Sequence, residues 1–437
     1  MAKEFLKTHD QIFASRPQLA VGKYVNYNYS DMLWAPYGPH WRQSRKIYLS
    51  ELFSSKRLES FQSIRVEEMR AFVSRLHGLS GKPVVLKNHL VCLTLSTISR
   101  MVFGKKHFSV SGDDQLGSNS IMSLPEFKRI LFGLKGYIKR MKALKKKLDR
   151  FHDHVFDQHK RKKKELAKNF VPQDMVDLLL QLADDPDLDV KLTYDHLRGL
   201  TLVSIFCSFF LFLKLCLFLI DGSHGLITGP DNRRHKYLGI NRRMGDLRTD
   251  QTTTTHRKSD QELDRVIGRE RWVDEKDIPQ LPYLDAIMKE TMRKHPIAPL
   301  LVPHLAMEDC KVAGYDIRKG TRVYVNTWSI GRDPSLWEQP EEFRPERFLG
   351  RDIDVKGRSF ELLPFGAGRR MCPAYNLGLK MVQLSIANLL QAFNWKLPDN
   401  TKVEDLSMEE SSGLTTPRKF PLVAVMEPRL PLHLYKN

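Results

Sequence analysis

A single cysteine stands in a glycine-rich loop directly before a long apolar segment, and this arrangement limits the folds open to the chain more than any other feature. The loop covers residues 364–374, PFGAGRRMCPA, and residues 375–393 predict an apolar helix. A helix N-terminus presents free N–H groups and a positive dipole, which favour a deprotonated sulfur at Cys372. The loop therefore predicts a thiolate that binds a metal, although a tight turn with an incidental cysteine also fits the residues.

The residues around Cys372 indicate what kind of metal group it would bind. Gly366 and Gly368 let the backbone approach a flat macrocycle closely. Phe365 can pack against the face of such a ring, and Arg370 can pair with a carboxylate at its edge. Zinc is disfavoured because no second Cys or His lies at ligand spacing. Together these residues predict a metal macrocycle with Cys372 as the metal ligand.

Four short motifs, in order along the chain, resemble those of the cytochrome P-450 monooxygenases. The residues that match the haem-binding loop of that family are Phe365, Gly368, Arg370 and Cys372. The resemblance implies haem b (iron protoporphyrin IX) as the cofactor and Cys372 as its axial thiolate, whose electron push favours cleavage of the O–O bond. Residues 13–17, FASRP, and 332–334, RDP, are typical of plant A-type microsomal members.

The other three motifs add residues to this site. Trp41 and Arg45 match a helix C pattern whose side chains reach a haem propionate. Glu290 and Arg293 match the E-x-x-R pair of helix K, and Arg347, in the sequence FRPERF, completes that ion network behind the haem. A helical spacing of three puts Glu290 and Arg293 on one face, where they can pair. The resemblance thus implies a structural ion network of these three residues.

Two positions depart from the family pattern. His304 stands where the family often has Arg, and a histidine can still donate to a propionate, although a surface-loop histidine fits equally well. Helix I of the family carries an acid–Thr pair that helps to deliver protons to dioxygen, and it would fall at about residues 205–225. No such segment is present there. The sequence therefore predicts no identifiable catalytic residues of this type.

Residues 200–260 interrupt the globular pattern. Leu200–Ile220 is an apolar run long enough to span a bilayer, and a buried helix or a sequence foreign to the family would also explain it. Residues 221–260 have no helical or strand period and predict a loop or disorder. Shifting the frame of possible codons for residues 241–260 gives a sequence that resembles the end of helix I. We expect an aberrant insert that replaces helix I.

The remaining sequence predicts a mainly α fold with small β-sheets, and the resemblance implies the cytochrome P-450 fold in a single domain over residues 1–437. The N-terminus has no apolar stretch, so neither a signal peptide nor a membrane anchor is expected there. A small sheet is expected over residues 310–326. Helices are expected over residues 41–75, 85–103, 124–169, 283–294 and 375–393.

The chain is strongly basic, with 70 Lys and Arg against 51 Asp and Glu and a formal net charge of +19. Such a charge suits an acidic partner or an anionic surface, although the basic residues of 124–169 also fit a solvated helix face. The resemblance implies NADPH–cytochrome P-450 reductase as electron donor, with O2 and a small lipophilic plant metabolite as substrates. It also implies a monomer at the cytosolic face of the endoplasmic reticulum membrane, without a nucleic-acid partner.

Two other functions remain open on the sequence. A chain that keeps the haem loop but lacks helix I predicts a catalytically impaired haem-binding product of a mis-spliced or mis-predicted gene. The charge alone would also suit a basic membrane-surface or nucleic-acid binder, although the aromatic–basic interleaving of a known module is missing. Candidate substrate contacts are the loop before Trp41, residues 297–301 and residues 413–415, where ordinary packing explains the sequence equally well.

Overall fold

The computed structural model of the chain describes residues 1–107, 137–205, 245–399, 401, 406–407, 409–411, 416 and 418–436. Most of the apolar run Leu200–Ile220 and residues 413–415 lie outside these ranges. Among the helices of the described part, none combines the length and the apolar character that a membrane crossing requires. The interpretation of the apolar run as a transmembrane helix stays a prediction.

Helices dominate the described chain. The α-helices are α1 (Ala20–Tyr24), α2 (Pro39–Ile47), α3 (Ser55–Ser60), α4 (Gln62–His77), α5 (Leu86–Phe103), α6 (Tyr137–Leu166), α7 (Met175–Ala183), α8 (Gly245–Val266), α9 (Pro282–Lys294), α10 (Thr327–Ile330) and α11 (Tyr375–Ala392). Residues 194–205 are helical as well. Single turns of π-helix lie at Glu4–Thr8 and Tyr48–Leu52, and 3-10 turns lie at Ala167–Asn169, Ile278–Gln280, Pro345–Phe348, Gly368–Arg370 and Leu432–Tyr435.

Short antiparallel strands form three small sheets. The strands are β1 (Val84–Val85), β2 (His304–Leu305), β3 (Cys310–Val312), β4 (Tyr315–Ile317), β5 (Arg322–Val323), β6 (Phe393–Lys396) and β7 (Val423–Pro428). Their order is β1-β7-β6 in one sheet, β2-β5 in the second and β3-β4 in the third. The strands expected over residues 310–326 are present, but β5 pairs with β2, placing His304 opposite Val323.

Most of the expected helices match observed ones. The segments 85–103, 283–294 and 375–393 correspond to α5, α9 and α11. The segment 41–75 is divided into α2, α3 and α4 by the π turn and a short bend, because Ser54 begins α3 by accepting a hydrogen bond from the Arg57 N–H. The segment 124–169 contains α6, and its first residues lie outside the described ranges.

The expectation of loop or disorder over residues 221–260 is wrong for residues 245–260, which belong to α8. Helix growth adds one hydrogen bond per residue to an existing helix, so the amphipathic segment from Gln261 can extend into this polar stretch. Thr255 and Ser259, four residues apart, are both buried. At these two positions hydroxyl side chains face inward, and a hydropathy pattern does not reveal buried hydroxyl residues.

One large apolar core fixes the elements around the cysteine loop. It takes its buried side chains mainly from α4, α5, α9 and α11. The turn Pro345–Phe348 packs against α9. The chain then enters the loop 364–374 and continues into α11, so the core holds both ends of the loop.

Candidate functional site

The loop that carries the cysteine is closed by its own backbone. The Cys372 N–H donates to the Phe365 carbonyl at 3.0 Å. Gly366 and Gly368 have φ angles of 71° and 68°, a region that side chains rarely adopt. A Cβ on Gly368 would lie 2.0 Å from the Leu6 carbonyl oxygen. Close contact with the N-terminal segment therefore gives this glycine a structural role that the sequence did not reveal.

Burial controls the ionisation of the Cys372 thiol. Burial raises its pKa to about 11, although the backbone N–H of Ala374 and the charge of Arg45 act in the opposite direction. The expected favourable influence of the helix N-terminus is thus outweighed in the free protein. A coordinated thiol is deprotonated by the metal itself, so binding of a metal here would release a proton.

Three guanidinium groups lie near one another, one of them on the loop itself, and all of their hydrogen bonds within the described residues go to backbone carbonyls. Arg370 donates to the carbonyls of residues 14, 32 and 35. Arg45 donates to the Met371 carbonyl at 2.8 Å. Arg16, which is 5% exposed, donates to the carbonyls of residues 302 and 303 at 2.7 and 2.9 Å. We call Arg16, Arg45 and Arg370 the cationic group.

Burial makes the positive charges of the cationic group unfavourable. Burial lowers the pKa of Arg16 to about 9, and burial together with Arg16 lowers the pKa of Arg370 to about 8. The carboxylate that acts on both arginines is Asp31, whose own pKa burial raises to about 7. Haem b carries two propionates, and a buried excess of guanidinium groups over carboxylates fits two further acids. The residues present therefore suit this cofactor.

Trp41 lies beside the cationic group. Its indole N–H donates to the Met32 carbonyl at 3.1 Å, and its ring is 4.4 Å from the Arg370 guanidinium carbon. The Arg45 guanidinium carbon lies 5.7 Å from the same ring. The aromatic ring thus fixes the positions of two cations through its face. Trp41 and Arg45, from the helix C motif, thus meet Arg370 of the cysteine loop.

His304 is buried in β2, so the alternative of a surface-loop histidine is wrong. Its Nδ1 lies 2.8 Å from the Phe13 carbonyl, which can only accept, so the ring proton is on Nδ1. Burial, together with Arg16 and Arg370, lowers the pKa of His304 to about 3. The Nε2 atom of the neutral ring then has no proton, and donation to an acid from that atom would need a second proton.

Glu290, Arg293 and Arg347 lie in one buried hydrogen-bonded group. Arg293 donates to both carboxylate oxygens of Glu290 at 2.7 Å, and Arg347 donates to Glu290 Oε1 at 3.3 Å. The backbone N–H of Arg344 adds a bond of 2.7 Å to the same oxygen. Arg293 also donates to the carbonyls of residues 331, 340 and 342. The group, here called the ion network, fastens α9 to the segment 331–347.

Sequence reasoning missed Arg16 and Asp31 as parts of the site. Arg16 lies within FASRP, a stretch that was noted only as typical of the family. Asp31 is fully buried, and its Oδ1 accepts from the N–H groups of residues 33 and 34. An aspartate at the start of a turn is a local signal that predicts such bonds, but it does not predict neighbours from distant segments.

The helical fold, the cysteine loop and the cationic group are those of a protein that binds haem through a thiolate. The Cytochrome P450 family model matches residues 1–208 and 251–423, which is most of the chain. The chain therefore belongs to the cytochrome P450 family, whose cofactor is haem and whose members are monooxygenases. The match leaves out residues 209–250.

Curated relatives agree with this assignment. Trimethyltridecatetraene synthase of Zea mays is 41% identical over 469 residues, covering 100% of this chain and 80% of that protein. Flavonoid 3'-monooxygenase of Petunia hybrida is 37% identical, covering 100% of this chain and 83% of that protein. Cytochrome P450 71A1 of Persea americana is 38% identical, covering 98% of this chain and 84% of that protein.

Solved structures confirm the fold. A zebra fish cytochrome P450 structure with abiraterone is 25% identical with a TM-score of 0.78, covering 98% of this chain and 91% of that chain. A zebra fish cytochrome P450 structure with progesterone has a TM-score of 0.80 at 24% identity, and it covers 98% of this chain and 92% of that chain. The predictions of family, mainly α fold and haem cofactor are confirmed.

Proposed function

We propose that this chain inserts one oxygen atom of O2 into a small lipophilic plant secondary metabolite, with electrons from NADPH. The observation that carries the proposal is the meeting of the Cys372 loop with a buried cationic group that suits the two acids of haem. The names of relatives, which include a synthase of a tetraene and a flavonoid monooxygenase, support a small lipophilic substrate. Substrate contacts are proposed for the loop before Trp41 and for residues 297–301 and 413–415.

Each proposed site residue has a distinct task. Cys372 would ligate the iron, and Phe365, Gly366 and Gly368 would border the ring. Arg370, Arg45 and Arg16 would hold the propionates, with Trp41 fixing the first two. His304 would join them once its Nε2 is protonated, and in the neutral form it holds the Phe13 carbonyl instead.

The cofactor, when bound, supplies the activation of O2 and the transfer of an oxygen atom. The chain's own residues bind and orient it and exclude water. The ion network of Glu290, Arg293 and Arg347 is proposed to keep α9 and the segment before the cysteine loop in a fixed relation. This role is structural, since the three charges are buried and satisfied by one another and by backbone carbonyls.

The electron donor is proposed to be NADPH–cytochrome P450 reductase, at the cytosolic face of the endoplasmic reticulum membrane. Plant relatives of this family are generally microsomal and use such a reductase. The net charge of +19 would steer an acidic partner, and the attraction would weaken with salt. We expect a monomer and no nucleic-acid partner.

A second candidate function is a haem-binding product with impaired turnover. The observation that favours it is the gap in the family match at residues 209–250, which overlaps the segment 200–260. We propose that this segment is an aberrant insert replacing helix I, so that no acid–Thr pair delivers protons. A transcript that encodes residues 200–260 in the printed frame, with no normally spliced form, would contradict this origin.

The reduced, CO-bound difference spectrum of the purified chain tests haem ligation. We expect a Soret band at the position typical of thiolate-ligated haem in the wild type and its loss in C372A. The matched control is C310A, which removes a partly exposed cysteine outside the loop and should leave the band unchanged. A wild-type spectrum without the band, despite ample hemin, would contradict the proposal and leave a basic surface binder as the remaining candidate.

Turnover then separates the first two functions. Reductase and NADPH are added to the haem-loaded chain, and oxidised product is measured against NADPH consumed. Product formation supports the monooxygenase, whereas NADPH consumption with peroxide release and no product supports the impaired product. The same assay on a spliced form with a normal helix I supplies the positive control.

A further inference from the structure

The turn over residues 31–35 is built on one buried carboxylate. Asp31 is fully buried, and its Oδ1 accepts from the N–H groups of Leu33 at 2.5 Å and Trp34 at 2.8 Å. The Asp31 carbonyl accepts from the Ala35 N–H at 3.2 Å, which closes the turn. A side chain that accepts from the next residues' N–H groups fixes their backbone conformation. Asp31 thus determines where the carbonyls of this turn point.

Two of those carbonyls hold residues of the proposed haem site. The Met32 carbonyl accepts from the Trp41 indole at 3.1 Å and from Arg370 Nη1 at 3.2 Å. The Ala35 carbonyl accepts from Arg370 Nη2 at 2.6 Å. A planar guanidinium that is bonded along two edges cannot rotate without breaking several bonds at once. The turn therefore sets the orientation of Arg370 and Trp41 together.

The surroundings of Asp31 keep the turn in place. Residues 194–205 form a helix that lies on it so closely that a Cβ on Gly199 would be 3.1 Å from the Asp31 Cα. Asp31 Oδ2 accepts no hydrogen bond from the described residues, although it is buried. Its negative charge acts on Arg16 and Arg370 instead. Asp31 therefore affects the surrounding residues in two ways: its hydrogen bonds fix the turn, and its charge acts on the two arginines.

We propose that Asp31 is a positioning residue for haem: by capping the turn 31–35, it fixes Arg370 and Trp41 in the orientation that retains the propionates. This inference rests on the haem site proposed above. Asp31 itself is not a ligand, because its bonds go to its own turn. The cap requires an acceptor atom on the side chain at position 31 and does not require its charge.

The test compares side chains that keep or remove the acceptor. Asn keeps an oxygen for both N–H groups without the charge, and Ala removes it. The readout is the rate at which haem moves from the loaded chain to excess apomyoglobin. We expect the rate to rise about tenfold in D31A, because one buried and one partly buried N–H group lose their acceptor. We expect it to rise less than about threefold in D31N. Rescue by Asn is a result that a requirement for the negative charge would not give.

The control is D333A, which removes a similar cap on a more exposed turn, where Asp333 Oδ1 accepts from the Ser335 N–H at 2.9 Å. Haem release in D333A should equal that of the wild type. If D31A does not fold, D31S replaces it. The shorter hydroxyl side chain can accept from at most one of the two N–H groups, so we expect an intermediate rate of haem release. Folding is followed by far-ultraviolet circular dichroism.

The failures are distinguishable. A wild type without the Soret band of thiolate-ligated haem overturns the haem site and this inference with it. A wild type with the band, but with equal release in D31A, overturns the inference alone. Release in D31N as fast as in D31A also overturns it, because the charge and not the cap would then retain haem. Faster release in D333A would overturn it as well, since any loosened turn would then have the same effect.

Discussion

The ion network and the cationic group use the same side chain in opposite ways. In the ion network, Arg293 and Arg347 share a buried carboxylate, Glu290, and Arg293 meets it through two bonds of 2.7 Å. In the cationic group, Arg16 and Arg370 donate to carbonyls and influence a single carboxylate, Asp31, without a hydrogen bond to it.

This difference in hydrogen-bond partners predicts a structural role for the ion network and a binding role for the cationic group. A buried guanidinium with its carboxylate is satisfied by the chain and contributes to a fixed packing. A buried guanidinium bonded only to carbonyls retains a net charge, which costs free energy in the free protein and attracts an acid. Both regions use main-chain carbonyls to fix the guanidinium plane, but within the described residues the cationic group has the larger excess of guanidinium groups over carboxylates.

The largest expected effect is a loss of stability when the ion network, like the cationic group, has no carboxylate bonded to its arginines. E290Q removes the one negative charge that Arg293 and Arg347 share, so we expect the free energy of unfolding to fall by about 3–5 kcal/mol. Chemical denaturation of the haem-free chain measures the loss. E427Q, which affects a surface pair with Lys396, is the control and should cost under about 1 kcal/mol. Equal losses in both variants would contradict a structural role for the network.

A smaller effect is expected from the cationic group, and in a different readout. R370K keeps the charge but cannot bond three carbonyls in one plane. We expect haem affinity to fall about tenfold, with a smaller loss of unfolding free energy than in E290Q. R369K is the neighbouring control, since Arg369 pairs with Asp10 on the surface. Unchanged haem affinity in R370K would mean that the comparison does not separate binding from structure.

The smallest effect concerns a third charged cluster, in which His159 of α6 contacts Asp174 at the start of α7 at 2.9 Å. Burial lowers the pKa of His159, but the hydrogen bond and charge of Asp174 outweigh burial and raise it overall. A raised folded-state pKa means that this stabilisation is complete below about pH 6.5 and is lost as pH rises through the folded-state value. Unfolding free energy should therefore fall modestly above neutral pH.

The measurement is denaturation across about pH 5.5–8.5, from about one unit below to about two units above the ordinary histidine pKa. H159Q should lose this pH dependence, and H154Q, an exposed histidine on the same helix, should keep it. A wild-type profile that matches H159Q would show that His159 is neutral in the cluster. The third cluster would then differ from the ion network in depending on hydrogen bonds alone.

Local pattern predicted the parts of the site that are close in sequence. The spacing of Glu290 and Arg293 predicts their pairing because i and i+3 share a helix face. The loop 364–374 predicts its turn and the following helix from its glycines and from the apolar period. The helix over residues 245–260 was not predictable in this way, because its buried side chains Thr255 and Ser259 carry no apolar signal.

The sequence by itself determined the family, the mainly α fold and the cysteine that would ligate the iron, since each depends on residue types at short spacing. Tertiary structure alone decided that Arg370 meets the carbonyls of residues 14, 32 and 35, more than 330 positions away. Every residue has a carbonyl, so such contacts leave no mark on the residue types involved. Their location follows from how the core places distant backbone segments side by side.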